Sequence, residues 1–200
     1  MRLIMIFEKA IKKLAFIKWK HRLANIGESC AIDQTVELRN CSRISLGNKC
    51  TIRAYAIVNG AYNNQGSIIL GDNCTIGEFA VISSYGGIIE IGNHCSINPH
   101  CVVYGHGGLK IGNYVRIAAN TVIIPANHIF SDRETQITKQ GLSLQGIVIE
   151  DDVWIGAGAI ITDGVRICKG AVIGAGAVVT SDIPSYQVWV GVPARYLRDR

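Results

Sequence analysis

The side chains able to move a proton near neutral pH are five histidines: His21, His94, His100, His106 and His128. Histidine changes charge close to physiological pH and is the usual general base. His94, His100 and His106 stand six residues apart, a spacing that resembles a metal cluster. His128 differs. It closes Pro125-Ala-Asn-His128 at the head of a long polar stretch. Of the seven cysteines, no two form a CxxC pair, and the count is odd. That spacing speaks against a zinc site or a disulfide framework. The chain has no Walker motif, no G-x-S-x-G and no Ser–His or Cys–His pair to serve as an activated nucleophile.

Which of these residues can act depends on the elements that place them, and the chain repeats every six residues. Aliphatic anchors run Ile149, Ile155, Ile161, Ile167, Ile173, Val179. The same spacing gives Leu46, Ile52, Val58; Leu70, Ile76, Ile82; Ile91, Ile97, Val103; and Ile111, Ile117, Ile123, with weaker matches from Ile26 and Ile32. Residues two apart in a strand share a face, so each anchor and the small or β-branched residue two before it point into one core. Gly, Asn and Asp just after the anchors suit a tight turn. Each hexad is therefore one short strand and one turn, and three hexads make a triangular coil. Stacking the coils is obligatory, because no single coil buries its own inner face. The predicted fold is an all-β parallel β-helix.

The register assigns the remaining residues. Cys30, Cys50, Cys74, Cys95 and Cys101 take the small inward position, as free cysteine does; Cys41 and Cys168 fall off it. All seven are read as reduced and non-catalytic. His94, His100 and His106 each follow an anchor by three residues, so they occupy successive corners of one triangle and cannot converge on one ion. His94 and His100 read as structural, His106 less clearly so. Trp154 lies between inward Val153 and Ile155, so its indole points out, toward a ligand or another subunit. The repeat breaks most widely between Ile123 and Ile149. The excursion over residues 124–148 must leave the coil as a polar loop, and long loops in compact scaffolds are usually functional or disordered. His128 heads it.

The 200 residues are 48% hydrophobic and 18% charged, which excludes a disordered or collagen-like chain. No apolar run is long enough for a membrane-spanning helix, and no signal-peptide pattern is seen at the start. The chain is read as cytoplasmic. Of the net charge of +5, residues 1–24 carry +6 and the rest −1. A near-neutral body speaks against nucleic acid as a partner. Within 1–24, Ile4, Phe7, Ile11, Leu14, Ala15 and Trp19 share one helical stripe, the pattern of a basic amphipathic helix. That helix either caps the first coil or lies peripherally on the inner face of the membrane, where basic residues and Trp19 would suit an anionic surface. The expected organisation is a leader over 1–24, a β-helix over 25–184, and a tail over 185–200.

With these motifs in view the chain resembles the hexapeptide-repeat acyltransferases. The resemblance rests on Gly146-Ile-Val-Ile-Glu-Asp-Asp-Val-Trp-Ile-Gly-Ala-Gly-Ala159, Val172-Ile-Gly-Ala-Gly-Ala-Val-Val-Thr180 and Gly191-Val-Pro-Ala-Arg195, and covers roughly residues 26–198. It is closest to the galactoside and maltose acetyltransferases and the bacterial surface-polysaccharide O-acetyltransferases. Asn127-His128-Ile129-Phe130-Ser131-Asp132 looks especially like the polysaccharide branch. The resemblance implies a left-handed coil, a homotrimer with sites between subunits, and acetyl-CoA as donor with no metal. It implies that His128 is the catalytic histidine, that Trp154 flanks the site, and that Ala157, Ala175, Thr180, Ser181 and Arg198 line the CoA groove. The family often has lysine at Ser181, and Arg195 could supply the missing phosphate contact. Asn98 matches an asparagine that contacts the acceptor.

The chemistry fits these residues. A sugar hydroxyl attacking a thioester needs a base, here His128. The oxyanion needs donors, and the backbone N–H groups near Ala157 are candidates. Direct transfer in a ternary complex to a small-molecule or glycan acceptor is expected. The alternatives are a xenobiotic or amino-sugar N-acetyltransferase of the same fold, a non-catalytic β-helix binding protein and, least of all, a γ-class carbonic anhydrase.

Overall fold

The computed structural model describes residues 19–200, so most of the basic leader lies outside the described residues. The chain winds as a parallel β-solenoid of about seven triangular coils, a left-handed β-helix of hexapeptide repeats. The first face stacks seven strands, Asn25–Ile26, Ile44–Leu46, Ser67–Leu70, Ile88–Ile91, Leu109–Ile111, Ile147–Ile149 and Arg166–Ile167. The second face runs from Ala31–Ile32 through Ser96–Ile97, Arg116–Ile117 and Trp154–Ile155 to Val172–Ile173. The third runs from Glu37–Arg39 through Val102–Tyr104 and Val122–Ile123 to Val178–Val179. Every pairing between coils is parallel and in register, for example Ile97 beside Ile117 and Ile117 beside Ile155.

The hexad anchors fill the interior. From Leu46 to Val179 all eighteen anchors of the regular runs named above are buried, as are Thr121, Val153, Ala159, Val165, Ala171 and Ala177 two residues before their anchors. Each buried aliphatic side chain contributes about 1.5–3 kcal/mol, which explains why the period is kept so strictly. The inward cysteines form a ladder along one wall. The thiols of Cys30, Cys50, Cys74 and Cys95 each donate at 3.0 Å to the carbonyl of Gly47, Gly71, Gly92 and Gly112 on the next coil. All seven cysteines are free. Cys41 is buried although it lies off the register. A second ladder holds the first corner together. The Oδ1 atoms of Asn48, Asp72, Asn93, Asn113 and Asp151 each accept the backbone N–H of the residue one coil below.

Some corners hold non-glycine residues in the left-handed region, among them Tyr55, Phe79, His94, His100 and Tyr114 at φ near 60°. That conformation is unfavourable for bulky side chains, and ring stacking between coils offsets part of it. Tyr55 stacks on Phe79 at 5.0 Å and Phe79 on His100 at 5.1 Å; His94 stacks on Tyr114 at 4.9 Å. These separations match the spacing of stacked strands.

Close stacking leaves some corners no room for a side chain. A Cβ on Gly87 would collide with the carbonyls of Gly105 and His106. Both are backbone and cannot turn aside. Gly87→Ala is expected to lower stability by about 3 kcal/mol, the upper part of the usual overpacking range, measurable by urea unfolding.

One sequence expectation needs correction. The excursion is shorter than residues 124–148, because Ile147–Ile149 already pairs with Leu109–Ile111 and Ile147 is buried. The excursion leaves the coil with structure of its own: Asn127–His128 pairs antiparallel with Leu142–Ser143, and Ile137–Gln140 forms one helical turn between them. Of the two places open to the leader's apolar stripe, Trp19 takes the one against the coil. It is 5% exposed and packs with Leu23 in the core cluster of the first coils, with the Arg22 guanidinium over its ring. The tail closes the other end. Gln187–Val190 extends the second face beyond Val172–Ile173, and Arg195–Asp199 folds back on it antiparallel.

Candidate active site

Two corners carry the residues marked by the sequence. Between the second and third faces, the late coils turn on small residues, Gly156-Ala157-Gly158 and Gly174-Ala175-Gly176. Without side chains of any length, these corners leave a groove of about 700 Å³, walled mainly by apolar atoms. Trp154 borders it, outward on its strand and 55% exposed, as alternation requires. Ala118, Ala157 and Ala175 form its floor, and Arg198 and Arg200 stand at its C-terminal end. Asn98 lies on the same corner one coil before Ala118, since Ile97 pairs with Ile117. Its Nδ2 donates to the Ile117 carbonyl at 2.9 Å, which fixes the amide plane.

His128 occupies the other corner, between the third and first faces. The coil Leu109–Ile123 ends there, and the chain leaves through Pro125, whose carbonyl accepts the Gly107 N–H at 3.0 Å. His128 is exposed and pairs with Leu142, and the N–H of Ile129 donates to Gly141 at 3.1 Å. The imidazole is thus presented on a short ribbon that projects from the prism.

Of the expected donor residues, Trp154, Ala157, Ala175 and Arg198 come together in the groove. Thr180 and Ser181 do not. They are exposed, beyond the end of the third face, on the same corner as His128 two coils further on. Arg195 is not among the groove residues either, and its Nη1 turns back to the Ala194 carbonyl at 2.8 Å. Arg200 takes its expected place, held by Asp152 Oδ2 at 2.9 Å and the Gly170 carbonyl at 3.1 Å. Sequence reasoning missed Arg200 because only the antiparallel return of the last strand brings the chain end to the groove.

The three evenly spaced histidines lie on three different corners. His94 stacks on Tyr114, His100 on Phe79 and His106 on Tyr85 at 4.4 Å. Their ring faces are spent on structural contacts, as the hexad register implies. Burial pushes the His106 pKa down. Among the described residues no group of three or more His, Cys, Asp or Glu could hold a metal ion, and no helix there is long and apolar enough to cross a membrane.

Comparison with known proteins agrees with this architecture. A 2,3,4,5-tetrahydropyridine-2,6-dicarboxylate N-acetyltransferase of Staphylococcus aureus is 50% identical over 56 residues, 28% of this chain. The match spans only 23% of that relative. Among solved structures, AntD, an N-acyltransferase from Bacillus cereus in complex with dTDP and 3-hydroxybutyryl-CoA, superposes with a TM-score of 0.63 at 21% identity, covering 90% of this chain and 85% of that one. A mutant of AntD in complex with dTDP-4-amino-4,6-dideoxyglucose and Coenzyme A gives 0.61 at 20% identity, covering 90% and 86%. Residues 146–181, among them Trp154, Ala157 and Ala175 of the groove, match the family model described as bacterial transferase hexapeptide (six repeats).

Proposed function

We propose that this protein is an acyltransferase that moves an acetyl group from acetyl-CoA to a sugar hydroxyl, with His128 as general base. The observation that carries the reading is the groove, apolar and floored by Ala118, Ala157 and Ala175, with Arg198 and Arg200 at one end and Asn98 just beyond the other. A pantetheine arm is slender and apolar, and CoA ends in phosphates. The groove offers small residues for the first and guanidinium groups for the second. The acyl end of such a donor would then approach Asn98. Attack on the thioester carbonyl by a hydroxyl requires its proton to leave as the C–O bond forms. An imidazole takes it and returns it to the departing CoA thiolate.

The base and the groove lie on opposite edges of the third face, so a single chain does not join them. The outward side of that face supplies a reason for assembly. Ile57, Val81, Val102, Val122, Ile160 and Val178 are register partners on six successive strands and form one aliphatic stripe. On the first face the corresponding residues include Glu90, Lys110 and Arg166. We infer a homotrimer with the third faces turned to the axis. That ring sets the His128 edge of one copy against the groove edge of the next, and brings Thr180 and Ser181 alongside the same groove.

An amine acceptor is the second reading, favoured by the N-acyltransferase names of the similar proteins. The same base would deprotonate an ammonium before attack. A mass-spectrometric screen of acetyl-CoA against paired hydroxyl- and amino-sugars, including surface-glycan fragments, separates the two. No CoA release with any acceptor would favour a non-catalytic binding protein. Within the groove, Ala157→Trp is expected to raise the KM for acetyl-CoA about tenfold or more, because the indole fills the channel floor, with a smaller change in kcat. An unchanged KM would move the donor elsewhere.

A further inference from the structure

We propose that Asp163 is the positioning residue for His128: it anchors the ribbon that carries the imidazole. The role rests on the acyltransferase reading, while the anchoring itself rests on geometry alone. Asp163 is 8% exposed, a carboxylate inside the corner where the excursion returns to the coil. All its described partners come from that return. Its Oδ2 accepts from Ser143 Oγ at 3.2 Å, its two oxygens accept the Gln145 N–H at 3.0 and 3.1 Å, and its Oδ1 accepts the Gly146 N–H at 2.9 Å. A carboxylate is kept this far from water only where donors replace hydration.

The anchor reaches the base in one step. Ser143 is the register partner of Asn127, and Leu142 that of His128. The ribbon has two residues per strand, and Asn127, His128 and Leu142 are exposed. Its outer part carries exposed Ile129 and Phe130, so little apolar burial holds it. A hairpin of this size is not stable by itself, and its angle is set at its root. One side of the root is the Gly107–Pro125 hydrogen bond. The other is Asp163, assisted by the Gly164 N–H on the Gly146 carbonyl at 2.9 Å. An error of about 1 Å in the placement of a base can cost about a hundredfold in rate, so the anchor bears directly on turnover.

The test compares Asp163→Leu with Asp163→Asn in the full chain. The amide keeps one oxygen for Gln145 and Gly146 and can donate its NH₂ to the Ser143 hydroxyl, whereas leucine loses every bond. For Asp163→Leu we expect kcat to fall at least about tenfold with the KM for acetyl-CoA within about twofold, and Asp163→Asn to stay within about threefold of wild type. Hydrogen exchange supplies a second readout. In Asp163→Leu the Ile129 amide should exchange at least about tenfold faster, while the Val122 amide, bonded to Ala159 inside the coil, stays protected. Unchanged Ile129 exchange, equal loss in both variants, or a loosened ribbon with full turnover would each overturn the proposal. If Asp163→Leu does not fold, Ser143→Ala should still speed Ile129 exchange by about threefold, and an unchanged rate there overturns the anchor. Wild-type protein that transfers no acyl group would defeat the functional reading alone, because the exchange measurement decides the anchor without it.

Discussion

His128→Ala is expected to lower acyl transfer about 10²–10⁴-fold while acetyl-CoA still binds with nearly its original affinity. The two effects separate because the groove lies on another corner. Trp154, Ala157, Ala175 and Arg198 are held by coils that make no use of the His128 ribbon. The side chain is exposed and outside the core cluster, so its removal creates no cavity. Stability should therefore change little. Steady-state kinetics with calorimetric titration of acetyl-CoA checks both halves. Turnover close to wild type would remove His128 from the chemistry. Lost donor binding would mean that the ribbon also holds the donor.

How much of this was legible in the sequence follows from what each feature depends on. The coil interior was readable because it depends on period alone. Every regular anchor from Leu46 to Val179 is buried, and so are four of the five cysteines placed inward, with Cys30 half-buried in the first coil. The separation of His94, His100 and His106 was readable for the same reason. The return of the excursion was not. Residues 124–148 carry no hexad pattern to reveal that coil pairing resumes at Ile147. Asp163 in Asp163-Gly164 looks like an ordinary turn residue until the returning chain supplies its donors. The exchange of Arg195 for Arg200 at the groove has the same origin, because an antiparallel return places residues by turn length rather than by period. The aliphatic stripe on the third face was available to inspection, since a β-branched residue precedes the anchor on each of its coils. It escapes notice because attention goes to the inward positions.

That stripe leads to the second large effect. Val102 sits mid-stripe, between its partners Val81 and Val122, half-buried and pointing away from the coil interior. Val102→Glu should leave the coil folded, because a monomer keeps that side chain in contact with water. In a ring with the third faces inward, three such carboxylates would be desolvated near one axis, with no cation among the outward stripe residues to pair them. The expected result is a monomer by light scattering at micromolar concentration, with the β-sheet circular dichroism of the coil retained, a lowered unfolding temperature because the assembly no longer supports it, and turnover as low as that of His128→Ala. Lys110→Glu on the first face serves as the control and should assemble normally. Mixing two impaired proteins, assayed with acetyl-CoA well below the KM of the Ala157→Trp variant, gives the sharper version. His128→Ala subunits keep an intact groove, and Ala157→Trp subunits keep an intact base. If each site takes its base from one copy and its groove from the next, random hybrid trimers regain about a quarter of wild-type sites. Sites contained within one chain would regain none. An active Val102→Glu monomer, or hybrids without recovery, would reject the shared site.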